Sequence, residues 1–110
     1  MSSVFTVCWA PAAERDLREI ILFIADNNPD NARRVLERLR ELAGDLSLFP
    51  ERGRIVPELR CQNIYSYREI VVSPWRMIYR LAENRVDVLA VIDSRRNVED
   101  LILDRLLRSR

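Results

Sequence analysis

Three short segments between Tyr67 and Asp93 constrain the fold of this chain more than any other feature. Tyr67–Ser73, Trp75–Leu81 and Val86–Asp93 are rich in β-branched and aromatic residues, a composition typical of β-strands. Ser73-Pro74 and the polar tetrad at 82–85 separate the segments with residues that favour turns. The pattern therefore predicts a three-stranded antiparallel meander.

The middle segment alternates between two kinds of side chain, and successive side chains of a strand point to opposite faces. One predicted face carries Trp75, Met77, Tyr79 and Leu81, and the other carries Arg76, Ile78 and Arg80. The first face is apolar and needs cover from another part of the chain. The second face presents two arginines.

Helical periodicity before the sheet supplies that cover. Leu17, Ile20, Ile21 and Ile24 follow the i, i+3, i+4, i+7 spacing of an amphipathic helix, predicted over residues 12–26. Asn28 is a good N-cap and Pro29 suits the first position of a second helix, which is predicted to end near Leu48. A turn this short predicts an antiparallel helical hairpin, and its apolar stripe is expected to pack on Trp75 and Tyr79.

The remaining segments complete an α+β plan. Val4–Trp9 alternates loosely and predicts a first strand, whereas Phe49–Leu59 contains two prolines and a glycine and predicts a loop. From Asn97 the apolar spacing is helical again. This C-terminal helix is expected either to dock on the sheet or to offer a surface to a partner.

Composition limits the chemistry that the chain can perform. At 110 residues it is long enough for one domain, predicted to span 1–110. All 18 cations are arginine and there is no histidine, which removes the commonest general base and metal ligand. Residues 1–51 hold six arginines and nine acids, whereas residues 52–96 hold nine arginines and five acids. The sheet region is therefore the basic one, and no cofactor or metal is expected.

The two cysteines and the hydropathy pattern bear on location. Cys8 and Cys61 match no zinc-ligand spacing. The longest apolar run, Ile20–Ala25, is far too short to span a bilayer, and Met1–Trp9 does not resemble a secretory leader. We expect a cytoplasmic protein with reduced thiols and no membrane contact.

Four strings of the sequence, in this order, resemble the RelE/ParE superfamily of bacterial toxins: WAPAAERDLREI, LFPERGR, YREIVVSPWRMIYRL and VDVLAVIDSRR. Each string alone is weakly specific, but the ordered set covers nearly the whole chain. The resemblance implies a RelE/ParE-like α+β fold: an antiparallel sheet with an N-terminal αα-hairpin on one face and a short C-terminal helix. It also implies a toxin of a type II toxin–antitoxin pair, neutralised by a cognate antitoxin with a net acidic binding segment.

The resemblance leaves the lethal target open between two branches. RelE-like members are ribosome-dependent endoribonucleases that cleave mRNA without a metal, and the catalytic candidates of such an enzyme are Arg68, Arg76 and Arg95. Ile70 stands where the second member of the RelE basic pair is expected, and Leu101 stands near the position of its tyrosine or histidine. These departures favour the ParE-like branch, which inhibits DNA gyrase by direct binding. A degenerate toxin that only binds its antitoxin is a third reading.

Partner contacts are expected from basic residues of the sheet and of the loop before it, and from apolar residues of the C-terminal helix. The candidates are Arg52, Arg54, Arg76, Arg80, Arg95, Arg96, Leu101 and Leu106. The alternative for the strand arginines is structural. Arg76 and Arg80 would then form cross-strand pairs with Glu69 or Asp87, and Arg95 would pair with an aspartate.

Overall fold

The computed structural model describes residues 4–95 and 97–108. Its elements in chain order are β1 (Thr6–Trp9), α1 (Pro11–Ala25), α2 (Pro29–Asp45), β2 (Arg54–Ile55), α3 (Pro57–Arg60), β3 (Tyr67–Val72), β4 (Trp75–Ala82), β5 (Arg85–Asp93) and α4 (Val98–Arg108). The α+β prediction is confirmed. Both β2 and the single-turn helix α3 lie in the segment predicted as a loop.

The five strands form one sheet in the order β1-β5-β4-β3-β2. The predicted meander is confirmed, because β3, β4 and β5 pair antiparallel in sequence, and β2 adds a further antiparallel strand beside β3. The first strand, β1, instead pairs parallel with β5, at Thr6 with Arg85 and Trp9 with Val88. Parallel neighbours need a long crossover, and here the connection from β1 to β5 comprises residues 10–84, which include the helical hairpin and the other three strands.

The predicted helical hairpin is confirmed with small shifts at its ends. The first helix, α1, begins at Pro11, and α2 ends at Asp45 rather than near Leu48. Asn28 caps α2 as expected, because its side-chain oxygen accepts a hydrogen bond of 3.1 Å from the backbone N–H of Asn31. The two helices pack on the predicted apolar face of the sheet, where Met77 and Tyr79 are fully buried.

The opposite face of the sheet is also covered. A second apolar cluster there joins Leu59, Ile78 and Ala90 to Ile102 of α4, which is 2% exposed. The C-terminal helix therefore docks on the sheet. Two buried faces explain why β4 is nearly continuous in its burial, even though its sequence alternates between apolar and basic residues.

A partly buried acid, Asp16, links α4 to α1 and β5. Asp16 of α1 receives two hydrogen bonds of 2.8 Å from the guanidinium of Arg105 and one of 3.0 Å from the backbone N–H of Val91. Arg105 also donates to the carbonyl of Leu89. The β4–β5 register shifts at this point of β5, so the Asp16–Arg105 pair satisfies backbone groups beside the irregularity.

In the described part of the chain, no helix is both long enough and apolar enough to cross a membrane.

Candidate functional site

Arg76, a candidate in both the catalytic and the partner-binding sets, lies inside the protein at 6% exposure. Its Nη1 and Nη2 donate to the two carboxylate oxygens of Glu58, at 2.8 and 2.7 Å. Its Nε donates to Oε1 of Glu69 at 2.7 Å. The side chain of Glu69 is completely buried, and its other oxygen accepts a 2.7 Å hydrogen bond from Nε of Arg54.

The strand register and α3 bring this four-residue cluster together. Arg54 lies directly opposite Glu69 across the β2–β3 pair. Arg76 on β4 lies two residue pairs away from Glu69 along the β3–β4 ladder, and therefore on the same face. The helix α3, whose start is set by Pro57, carries Glu58 over that face. The pairing of Arg76 with Glu69 is the structural alternative that the sequence suggested, whereas the part played by Glu58 was not anticipated.

The cluster shifts the protonation equilibria of Glu58 and Arg76. The hydrogen bond from Arg76 is the largest reason that the pKa of Glu58 is lowered from its ordinary value of 4.5. The same bond, followed by the contact with Glu69, raises the pKa of Arg76. Both groups are therefore held in their charged forms, and neither is suited to exchange a proton with a substrate near neutral pH.

Arg68, the second catalytic candidate, lies on the other face of the sheet from Arg76. Arg68 pairs with Tyr79 and Arg76 with Val71 in the β3–β4 register, so the two arginines alternate to opposite sides. The Nη1 of Arg68 donates to the carbonyl of Gly53 at 2.7 Å. Its contacts are with the backbone of the loop before β2, not with the cluster of Arg76.

That loop is anchored to the sheet by a buried hydroxyl. Tyr79 donates to the carbonyl of Pro50 at 2.8 Å and accepts from the N–H of Gly53 at 2.9 Å. Burial raises the pKa of this hydroxyl. A Cβ added to Gly53 would stand 2.5 Å from the carbonyl oxygen of Glu69 and 2.7 Å from the Tyr79 hydroxyl, so only glycine fits.

The loop arginines and the strand-end arginine lie on the surface. Arg52 pairs with Asp45 at 3.3 Å, with both side chains about half exposed. Arg95, the third catalytic candidate, is 81% exposed and bonds through Nε to Asp93 at 2.9 Å. This is the aspartate pairing that the sequence offered as the alternative for Arg95.

The remaining candidates have different surroundings. Arg80 stands 3.7 Å from Asp87 across the β4–β5 pair. Leu101 packs against the second apolar cluster. Arg96 and the side chain of Leu106 lie outside the described residues.

A groove of about 320 Å³ opens along the helical hairpin, away from all of these arginines. Its lining combines apolar residues of both helices and β1 with a charged rim: Trp9, Glu14, Leu17, Arg18, Ile21, Leu22, Leu36 and Arg40. Leu22 is well exposed, as is its neighbour Phe23. No residue of this groove was among the candidate contacts, although their helical spacing placed several of them on the apolar stripe.

Within residues 4–95 and 97–108, no three Cys, Asp or Glu side chains are grouped so that they could hold a metal ion. The site therefore consists of an internal ion cluster, an anchored loop with exposed arginines, and an amphipathic groove. Such a set is suited to binding another macromolecule by its surface.

Comparison with known proteins assigns this fold to a class of toxins. Residues 7–98 match the family model described as the ParE toxin of type II toxin–antitoxin system, parDE. Toxin ParE3 of Caulobacter vibrioides is 32% identical over 84 residues, which cover 76% of this chain and 80% of that relative.

Two solved structures share the architecture. The chromosomal ParDE toxin–antitoxin system from P. aeruginosa superposes with a TM-score of 0.69 over 82% of this chain and 96% of the other, at 16% identity. The RelBE2 toxin–antitoxin complex from Mycobacterium tuberculosis gives 0.59 over 84% and 94%, at 26% identity. Fold and sequence thus define a RelE/ParE superfamily toxin. Within that superfamily, the chain belongs to the ParE toxin family of type II toxin–antitoxin systems.

Proposed function

We propose that this ParE-family toxin arrests growth by binding DNA gyrase directly and does not cleave RNA. One observation carries the second half of the proposal: the three arginines of a RelE-type cleavage site do not converge. Arg68 and Arg76 lie on opposite faces of the sheet. The third, Arg95, is on the surface beside Asp93. Three cations so arranged cannot surround one phosphate.

The chemistry of RNA cleavage gives further support. Attack of a 2′-hydroxyl on the adjacent phosphate needs a proton acceptor and a proton donor as well as a cation. Guanidinium groups are too weakly acidic to exchange protons near neutral pH. Glu69 is enclosed between two arginines, and the hydroxyl of Tyr79 is occupied by the loop backbone. Neither group is available as a base to an external substrate.

The proposal that the toxin binds gyrase rests on its membership of the ParE family and on the exposed arginines and amphipathic groove of its surface. A supercoiling assay with purified gyrase tests it: the toxin should inhibit supercoiling at micromolar concentration. A translation reaction containing the same toxin should leave its mRNA intact. Cut message without gyrase inhibition would favour the ribosome-dependent endoribonuclease instead, and Arg95→Ala should then abolish the cutting.

We further propose that a cognate antitoxin neutralises the toxin in the cytoplasm by occupying the hairpin groove. Apolar lining with Arg18 and Arg40 at the rim suits an amphipathic helix that carries acidic residues. The two related structures belong to toxin–antitoxin systems, ParDE and RelBE2.

Co-expression with the neighbouring reading frame tests this pairing. Growth should stop when the toxin is induced alone and resume when the neighbour is present. Leu22→Asp, at the edge of the groove, should weaken the rescue, and Leu48→Asp, at a similarly exposed leucine outside the groove lining, serves as its matched control. Unaffected growth on induction of the toxin alone would indicate a degenerate toxin without a target.

A further inference from the structure

The outer edge of β3 is covered only in part. Its neighbour β2 has two residues and pairs with Arg68 and Glu69, whereas β3 extends beyond them. The carbonyl of Tyr67 accepts from the N–H of Val56, so the backbone groups of alternate β3 residues point to this side. In the described part of the chain, no strand pairs with Val71 there. The N–H and C=O of this half-exposed residue are therefore open to an incoming chain.

The anchored loop before β2 accounts for this gap. Tyr79 and Arg68 bond the loop carbonyls of Pro50 and Gly53 from the side of the sheet that the hairpin covers. Val71 faces the opposite side, because it is three residues from Arg68 along β3. The loop is thus held towards one face and does not continue along the edge. A concavity of about 440 Å³ lies there, lined by Arg52, Gly53, Arg54, Glu69, Ile70 and Val71.

Arg54 presents unused hydrogen-bond donors to the same concavity. Its Nε is bonded to the fully buried Glu69, whose other oxygen is held by Arg76. The two terminal nitrogens of Arg54 form no hydrogen bond with the described residues, and the side chain is 60% exposed. The internal ion cluster therefore fixes the direction of a guanidinium whose outer edge is free. Such a pre-positioned group loses less conformational entropy when a partner binds.

These two features specify the chemistry of the occupant. The unpaired backbone of Val71 suits an extended polypeptide that adds as a strand. The outer edge of the Arg54 guanidinium suits a carboxylate. Arg54 and Arg76 balance the charges of Glu58 and Glu69, so the attraction depends on directed donors rather than on net charge. A nucleic acid would satisfy the arginine but not the strand edge.

We propose that the β3 edge at Val71 and Arg54 binds an extended segment of the lethal target, with an acidic side chain of that segment on Arg54. The inference deepens the proposed function and rests on it for the identity of the target as gyrase. The groove assigned to the antitoxin includes Trp9 of β1, at the opposite edge of the sheet. Three strand spacings separate β1 from β3, which is about 14 Å. Antitoxin and target therefore contact different residues.

Two substitutions test the two contacts, each with a matched control. Val71→Lys places at the edge a residue that disfavours strand addition, and Val4→Lys makes the same change at another exposed valine. Arg54→Lys keeps a cation beside Glu69 but removes the outward fork. Its control is Arg85→Lys, because Nε and Nη2 of Arg85 are already bound to a carboxylate. We expect the half-inhibitory toxin concentration in a gyrase supercoiling assay to rise roughly tenfold for Val71→Lys and about threefold to tenfold for Arg54→Lys. Both controls should stay within about twofold of wild type.

Each variant is also measured for growth arrest, for folding by circular dichroism, and by isothermal titration with the protein encoded beside the toxin gene. Weaker gyrase inhibition and weaker arrest, with wild-type affinity for the neighbouring protein, support the target-binding edge. Wild-type inhibition and arrest in both variants overturn it. Loss of affinity for the neighbouring protein, with or without loss of arrest, also overturns it, because the edge then belongs to the antitoxin surface. Should Val71→Lys fail to fold, Arg54→Lys decides in the same way.

Failure of the proposed function has a different signature. A wild-type toxin that arrests growth without inhibiting gyrase refutes gyrase as the target. Loss of arrest in Val71→Lys and Arg54→Lys, with retained affinity for the neighbouring protein, would then still assign the β3 edge to the lethal target.

Discussion

Replacement of Arg76 by methionine tests whether this arginine is a structural cation or a contact for an external phosphate. Methionine keeps an unbranched apolar stem of similar reach but removes the three hydrogen bonds to Glu58 and Glu69. Among the described residues, the fully buried Glu69 would then retain Arg54 as its remaining ion-pair partner. If the role is structural, the main effect of the substitution is on the free energy of unfolding.

The size of that effect follows from the burial of the two acids. Removal of one member of a buried ion pair costs about 3–5 kcal/mol, because the partner charge is left uncompensated. The value here should lie near the lower limit, since Glu58 is 36% exposed and can rehydrate, and Glu69 keeps Arg54. We expect a loss of about 3 kcal/mol, which is a large share of the ~5–15 kcal/mol that stabilises a typical domain.

Urea unfolding followed by far-ultraviolet circular dichroism measures the loss. With an m-value of about 1.5 kcal/mol/M, the midpoint should fall by roughly 2 M. The double variant Arg76→Met, Glu69→Gln removes the stranded charge and should recover about 1–2 kcal/mol of that loss. Arg95→Met, which breaks a solvent-exposed pair, is the control and should leave the midpoint unchanged.

Two results would refute the structural assignment. One is a midpoint for Arg76→Met within experimental error of the wild type. The other is a double variant no more stable than the single one. Growth arrest adds an independent readout: at a temperature where Arg76→Met remains folded, a structural role predicts that arrest persists, whereas a phosphate contact predicts that it disappears.

Three further outcomes follow from the same contacts. Gly53→Ala should destabilise the protein by about 1–3 kcal/mol in urea unfolding, because the alanine methyl group would clash with the carbonyl of Glu69 and the Tyr79 hydroxyl. A free energy of unfolding equal to that of the wild type would show that the loop can move aside. Asp16→Asn should speed hydrogen exchange at the amide of Val91 and throughout α4, and unchanged exchange would contradict its fastening role. Because the pKa of Glu58 is lowered in the folded protein, its stabilising contribution is present above pH 4.5 and is lost as the pH falls through the folded-state pKa. The free energy of unfolding should therefore decrease more steeply with falling pH for the wild type than for Glu58→Gln.

The local patterns of the chain predicted most of its architecture. The β3–β5 meander, the helical hairpin and the Asn28 cap were all apparent from spacing and turn residues, because such signals depend on neighbours within one turn or one strand. The short elements β2 and α3 were not apparent. They are too brief for a periodic pattern to develop, and long-range pairing with β3 and packing against α4 stabilise them.

The candidate site was predicted less completely, because residue types do not specify their partners. The spacing of β4 put Arg76 and Arg80 on one face, as the structure has them. It could not reveal that α3 carries Glu58 onto Arg76, whereas Arg80 receives no such hydrogen-bonded carboxylate from residues 4–95 and 97–108. Two arginines with the same pattern thus differ in burial and in availability.

The longer strands and helices, the apolar faces and the basic character of the sheet region are local or additive properties, so they could be read directly from the residues. The partners of individual charged side chains are neither a local nor an additive property. Arg76 meets Glu58 across 18 positions and Arg105 meets Asp16 across 89. Such encounters depend on how the layers pack in three dimensions, and a guanidinium becomes a structural cation or a free one according to which carboxylate the folded chain brings within reach.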